Sequence, residues 1–142
     1  MKLLVLNGPN LNLLGSREPD TYGEVTLGGL EEEIRREFPS VSFDFFQSNH
    51  EGELIDRLQS AERIAGIVFN PGGYTHTSVA LRDAIAAIET PVIEVHISNI
   101  AARESFRHHS VTAGATIGQI SGLGVMGYHM AVRYFLSTGG AD

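Results

Sequence analysis

The stretch Ile67-Val68-Phe69-Asn70-Pro71-Gly72-Gly73-Tyr74-Thr75-His76-Thr77-Ser78 decides the fold. Its apolar start predicts a short strand ending at Asn70. Pro71-Gly72-Gly73 is turn chemistry. Thr77 or Ser78 can then cap a helix that runs through Ile88, and Pro91 to Ile97 reads as the next strand. Strand, turn, helix and strand in roughly thirty residues form one βαβ unit with parallel strands.

The same alternation extends in both directions. Leu3 to Asn7 is a short apolar run, consistent with a buried strand. Thr26 can cap a helix carrying Leu27, Leu30, Ile34 and Phe38 at helical spacing, and Pro39 stops it. Val41 to Ser48 reads as the second strand. Glu51 to Ile64 places Leu54, Ile55, Leu58 and Ala61 on one helical face. Beyond Ile97, residues 103–109 suit a short helix, Thr116 to Ser121 a fifth strand, and residues 125–137 the last helix. Five such alternations with short links predict an α/β domain over residues 1–142, a doubly wound parallel sheet with helices on both faces. Right-handed crossovers favour the strand order 2-1-3-4-5. No repeat, low-complexity tract or linker interrupts it.

Composition narrows the chemistry. The chain has no Cys and no Trp, and its one Lys is Lys2. Thiol nucleophiles and Cys-based zinc sites are excluded. Schiff-base and P-loop lysines are disfavoured by the position of Lys2. The formal net charge is −7, and 12 of the 17 acidic residues precede residue 63. A nucleic-acid partner calls for a basic footprint instead. No apolar run approaches a membrane span. The first residues lack the pattern of a secretory signal, so a cytoplasmic location is expected. Any chemistry must use Arg, His, Tyr, carboxylates, hydroxyls and backbone.

Ligands of such sheets bind beyond the carboxyl ends of the strands. Those ends read Asn7-Gly8-Pro9-Asn10, Ser48-Asn49-His50, Asn70 through His76, His96-Ile97-Ser98-Asn99 and Ser121-Gly122. Asn and Ser are ordinary turn residues, yet three of these ends carry a His. His96 stands two residues after Glu94, and strand periodicity puts both on one face. A carboxylate beside an imidazole orients it and suits it to act as a general acid; a satisfied core pair is the alternative. His50 reads as a turn residue, and His108, His109 and His129 as surface or helix-packing residues. No H-E-x-x-H spacing indicates a metal. Residues 11–24 are too long for a plain connection and suit a lid, with Gly15 and Gly23 as hinges. Between them lie Arg17 and Tyr22. A guanidinium near a phenol favours the phenolate, which would make Tyr22 a usable base. Gly122-Leu123-Gly124-Val125-Met126-Gly127 matches G-x-G-x-x-G, but too little chain follows for a dinucleotide fold, so these glycines read as close helix packing. A flavin or nucleotide module and a receiver-like regulator stay open on the fold alone.

Asn7-Gly8-Pro9-Asn10-Leu11-Asn12, Arg17-Glu18-Pro19 with Tyr22-Gly23, Asn70 through Ser78, Glu94-Val95-His96-Ile97-Ser98-Asn99, and Arg103-Glu104 with Arg107 together resemble the type II 3-dehydroquinases, over essentially the whole chain. The resemblance implies a flavodoxin-like fold without flavin. It implies dehydration of 3-dehydroquinate to 3-dehydroshikimate in the shikimate pathway, through an enolate, with no metal, imine or cofactor. Tyr22 would take the C2 proton, with Arg17 holding it as phenolate. His96, backed by Glu94, would protonate the departing C1 hydroxyl. Asn10 would help hold a water at the enolate oxygen. The amides of Ile97 and Ser98 and the Ser98 hydroxyl would take the substrate carboxylate. Asn70, His76 and Arg107 would bind ring hydroxyls, with Gly72 and Gly73 alongside. Asp83 would reach the site of a neighbouring subunit in a dodecamer built from trimers.

Overall fold

The computed structural model describes residues 1–139; the last three positions of the expected 1–142 domain, residues 140–142, lie outside them. Five strands, β1 (Lys2–Asn7), β2 (Ser42–Gln47), β3 (Gly66–Asn70), β4 (Val92–His96) and β5 (Gly118–Ser121), form one sheet in the order β2-β1-β3-β4-β5. All four ladders are parallel. Five helices accompany them: α1 (Pro19–Tyr22), α2 (Leu27–Glu37), α3 (Glu51–Gln59), α4 (Val79–Ala87) and α5 (Met126–Thr138).

Strand periodicity divides the core between two faces. Leu3, Val5, Val68, Ile93 and Val95 face α2 and α5, where Leu30, Ile34, Tyr128, Val132 and Phe135 cover them. Leu4, Leu6, Ile67, Phe69 and Val92 face α3 and α4, under Leu54, Leu58, Leu81 and Ile85. Each fully buried aliphatic side chain contributes about 1.5–3 kcal/mol. Thr26 caps α2 by accepting from the Gly29 N–H, and Ser78 caps α4 by accepting from the Leu81 N–H at 2.9 Å. Ser78 is therefore the cap, and Thr77 is not.

The structure refines four stretches of the expected outline. α3 ends at Gln59, and residues 61–64 form a turn closed by the Ile64 N–H on the Ala61 carbonyl, which leads into β3. β5 begins at Gly118 because the chain before it coils in a short 3-10 turn at Ala113–Ala115. Within residues 11–24, Leu11–Leu13 forms a 3-10 turn and Pro19–Tyr22 a helical turn, anchored by buried Leu11 and Leu14. Residues 103–109 contain only the 3-10 turn Ser105–Arg107.

Among the described residues no helix is long and apolar enough to cross a membrane. Gly8 lets the ends of β1 and β3 meet, since a Cβ there would stand 2.4 Å from the Pro71 carbonyl oxygen.

Candidate active site

The strand ends and the 11–24 segment enclose one cavity. It is lined by Asn10, Arg17, Tyr22, Asn70, Gly72, Gly73, His76, His96, Ile97, Ser98 and Arg107, together with Arg103. Glu94 lies behind His96 and is fully buried. Asp83 is exposed on α4 and does not line this cavity. Lys2 sits at the opposite edge of the sheet, paired with Asp44 at 3.2 Å.

β4 positions the imidazole. His96 Nε2 lies 2.9 Å from Glu94 Oε2. The carboxylate accepts two further hydrogen bonds, from Ser110 Oγ at 2.8 Å to Oε2 and from the Thr112 hydroxyl to Oε1. Burial opposes charge on Glu94, but the bonds from His96 and Thr112, the His96 charge and the Ser110 bond outweigh it, so its pKa is lowered. An ionised carboxylate only accepts, so His96 carries its hydrogen on Nε2. That leaves Nδ1 for the cavity side of the ring.

The phenol of Tyr22 is held differently from expectation. Arg17 stacks on the ring, its Cζ 5.1 Å from the centroid. The hydrogen bond comes from Arg103, whose Nη1 donates to the Tyr22 hydroxyl oxygen at 2.8 Å and to Ser98 Oγ at 3.3 Å. Arg103 thus ties the 11–24 segment to the end of β4. Sequence reading placed Arg103 in a motif but gave it no task. Its separation of 81 residues from Tyr22 left no local signal. Ser110 and Thr112 were missed for the same reason.

Asn10 takes a left-handed conformation with φ 70°, which Asn tolerates. Its N–H donates to Asn49 Oδ1 at 2.9 Å, which fixes the loop after β1. His76 Nδ1 lies 2.9 Å from the His109 carbonyl, which can only accept, so Nδ1 bears hydrogen. Burial, together with the charges of His96 and Arg107, keeps the His76 pKa below its ordinary value, against the raising effects of the His109 carbonyl and Glu94. Ile97 and Ser98 follow the last ladder pair, His96 with Ser121. The glycine-rich turn holds them there. Gly122 and Gly124 donate their N–H groups to the carbonyls of His96 at 3.2 Å and Ile97 at 3.0 Å. Those amides are therefore occupied, and the G-x-G-x-x-G match serves packing. His129 is a packing residue too, buried and paired with Glu37. Among the described residues no group of three or more His, Asp or Glu could hold a metal.

The cavity brings two basic side chains to a phenol and a carboxylate to an imidazole, which suits proton transfer on an anionic substrate. The model of the family Dehydroquinase class II matches residues 1–136. The 3-dehydroquinate dehydratase of Bacillus pumilus is 59% identical over 141 residues, covering 97% of this chain and 96% of the relative. The crystal structure of a type II dehydroquinase from Butyrivibrio crossotus superposes with a TM-score of 0.93 at 48% identity, covering 96% of this chain and 97% of that one. That from Propionibacterium acnes gives 0.92 at 39% identity, covering 96% of each. On its own strand-end cavity and on this likeness along nearly its whole length, the chain belongs to the class II dehydroquinase family.

Proposed function

We propose that the protein removes water from 3-dehydroquinate to give 3-dehydroshikimate, as a hydro-lyase of the shikimate pathway, by acid–base elimination through an enolate. One observation carries the proposal: a phenol held by a guanidinium and an imidazole held by a carboxylate line the same cavity. Family membership supplies the substrate.

Tyr22, as phenolate, takes a proton from C2, beside the C3 ketone. The C–H electron pair moves onto the carbonyl and makes an enolate. Asn10, with a water it helps to hold, donates to the enolate oxygen. As the ketone re-forms, the C1–O bond breaks. His96 delivers a proton from Nδ1 to the leaving hydroxyl, and water departs. Glu94 orients the ring through Nε2 and balances the imidazolium charge. Arg103 and Arg17 supply positive charge beside the phenolate. The amides of Ile97 and Ser98, with the Ser98 hydroxyl, take the substrate carboxylate. Asn70, His76 and Arg107 hold ring hydroxyls, and the Gly72-Gly73 backbone lies beside them. These steps use side chains and backbone of this chain, without an imine or a metal.

We also propose assembly into trimers and a dodecamer in the cytoplasm, with Asp83 turned toward a neighbour's site. Exposed Ile117, Leu123, Met126, Met130 and Tyr134 around β5 and α5 give an apolar surface that further copies would cover.

Purified protein mixed with 3-dehydroquinate should generate the absorbance of a conjugated enone. Absence of that absorbance would refute the proposed reaction.

A further inference from the structure

Tyr128 is buried in the first part of α5, 1% exposed among the apolar side chains of one face of the sheet. A Phe would fill that space without a hydroxyl to desolvate. The hydroxyl instead meets two amide side chains at the ends of β1 and β3. It lies 2.6 Å from Asn7 Oδ1 and 2.9 Å from Asn70 Nδ2.

The direction of each bond follows from the one group that has no choice. The Gly72 N–H can only donate, and it donates to Asn70 Oδ1 at 3.1 Å. Asn70 therefore turns its NH₂ toward the phenol oxygen, which accepts. The phenol's single hydrogen goes to Asn7 Oδ1. Burial raises the Tyr128 pKa, so that hydrogen stays in place through the physiological range. One Nδ2 hydrogen of Asn70 is thereby engaged. The other remains, on a side chain that lines the cavity.

We propose that Tyr128 is a positioning residue for the dehydration. Acting through Asn70, it anchors one Nδ2 hydrogen of the amide that the Gly72 N–H has already oriented, and so holds the second N–H for a ring hydroxyl of the substrate. The bond to Asn7 Oδ1 uses the phenol's own hydrogen and so leaves its oxygen as the acceptor for Asn70. The substrate part of this inference rests on the proposed function; the amide orientation does not.

The test pairs Tyr128→Phe with Asn70→Ala on 3-dehydroquinate, alongside NMR of the Asn side-chain amides. Tyr128→Phe should lower kcat/KM about tenfold, the effect of one hydrogen bond. Asn70→Ala should lower it further. The double variant should match Asn70→Ala alone, because the phenol acts through that amide. Losses that multiply would make Tyr128 merely structural and overturn the proposal, as would an unchanged kcat/KM. In the unsubstituted protein the Asn70 side-chain NH₂ should exchange slowly, and its signals should shift in Tyr128→Phe. Rapid exchange at Asn70, or signals unmoved by the substitution, would overturn the clamp itself. A wild-type protein with slow Asn70 exchange and no enone product would instead count against the proposed reaction alone.

Discussion

Thr112→Val isolates the support behind the imidazole. Thr112 is fully buried, and its hydroxyl donates to Glu94 Oε1. Val keeps the side-chain volume and removes only the donor. Glu94 then has one oxygen without a partner at a site with no solvent exposure. A hydrogen bond to a charged group contributes about 1.5–3 kcal/mol, so the loss should be about 2 kcal/mol. For a chain of this size that lowers Tm by about 4–8 °C. The pH dependence has a definite sign. The folded pKa of Glu94 lies below the ordinary 4.5. Its contribution is present above that ordinary value and is lost as pH falls through the folded one. Removing the Thr112 donor raises the folded pKa, so acid unfolding should begin at a higher pH. Because Glu94 also orients His96, kcat should fall between about tenfold and a hundredfold. Thr112→Ser should restore most of both. Thermal melts from neutral to acid pH and steady-state kinetics read all of this. A Thr112→Val protein with unchanged Tm and kcat would refute the reasoning.

Three other outcomes follow from named contacts. Arg103→Ala should lower kcat more than Arg17→Ala, because Arg103 makes the hydrogen bond to the Tyr22 oxygen and Arg17 only stacks on its ring; equal kinetics would contradict that division. His76 is held by burial, with the charges of His96 and Arg107, below its ordinary pKa of 6.5, so the unfolded chain takes up its proton first. Stability should therefore drop as pH falls below about 6.5, and His76→Asn should flatten that part of a Tm–pH curve. Glu94, the facing carboxylate, titrates lower and should leave that window unchanged. Sedimentation should find trimer-based assemblies, and a stable, fully active monomer would refute the proposed oligomer.

The alternation of strands and helices was legible because each apolar run is short and bounded by its own cap or turn. Asn70 with Pro71-Gly72-Gly73 marks one strand end, and Ser78 caps the helix that follows. His96 with Glu94 was legible for a local reason too, since strand periodicity alone puts them on one face. Residues joined across the sheet were not. Nothing near Arg103 signals Tyr22, and nothing near Tyr128 signals Asn7, 121 positions away. Thr112 and Ser110 reach Glu94 from a segment without regular periodicity. The form of residues 11–24 was hidden as well, because two short turns pinned by Leu11 and Leu14 leave no helical pattern to read.

The division of labour between base and acid is tested most directly by 3-dehydroquinate carrying deuterium at C2. With the imidazole gone and the phenol in place, His96→Ala should wash the C2 label into water while making almost no enone, because the enolate forms and is reprotonated before hydroxide can leave. Tyr22→Phe should lose neither label nor water. Retained label in His96→Ala together with exchange in Tyr22→Phe would contradict Tyr22 as the base and His96 as the acid.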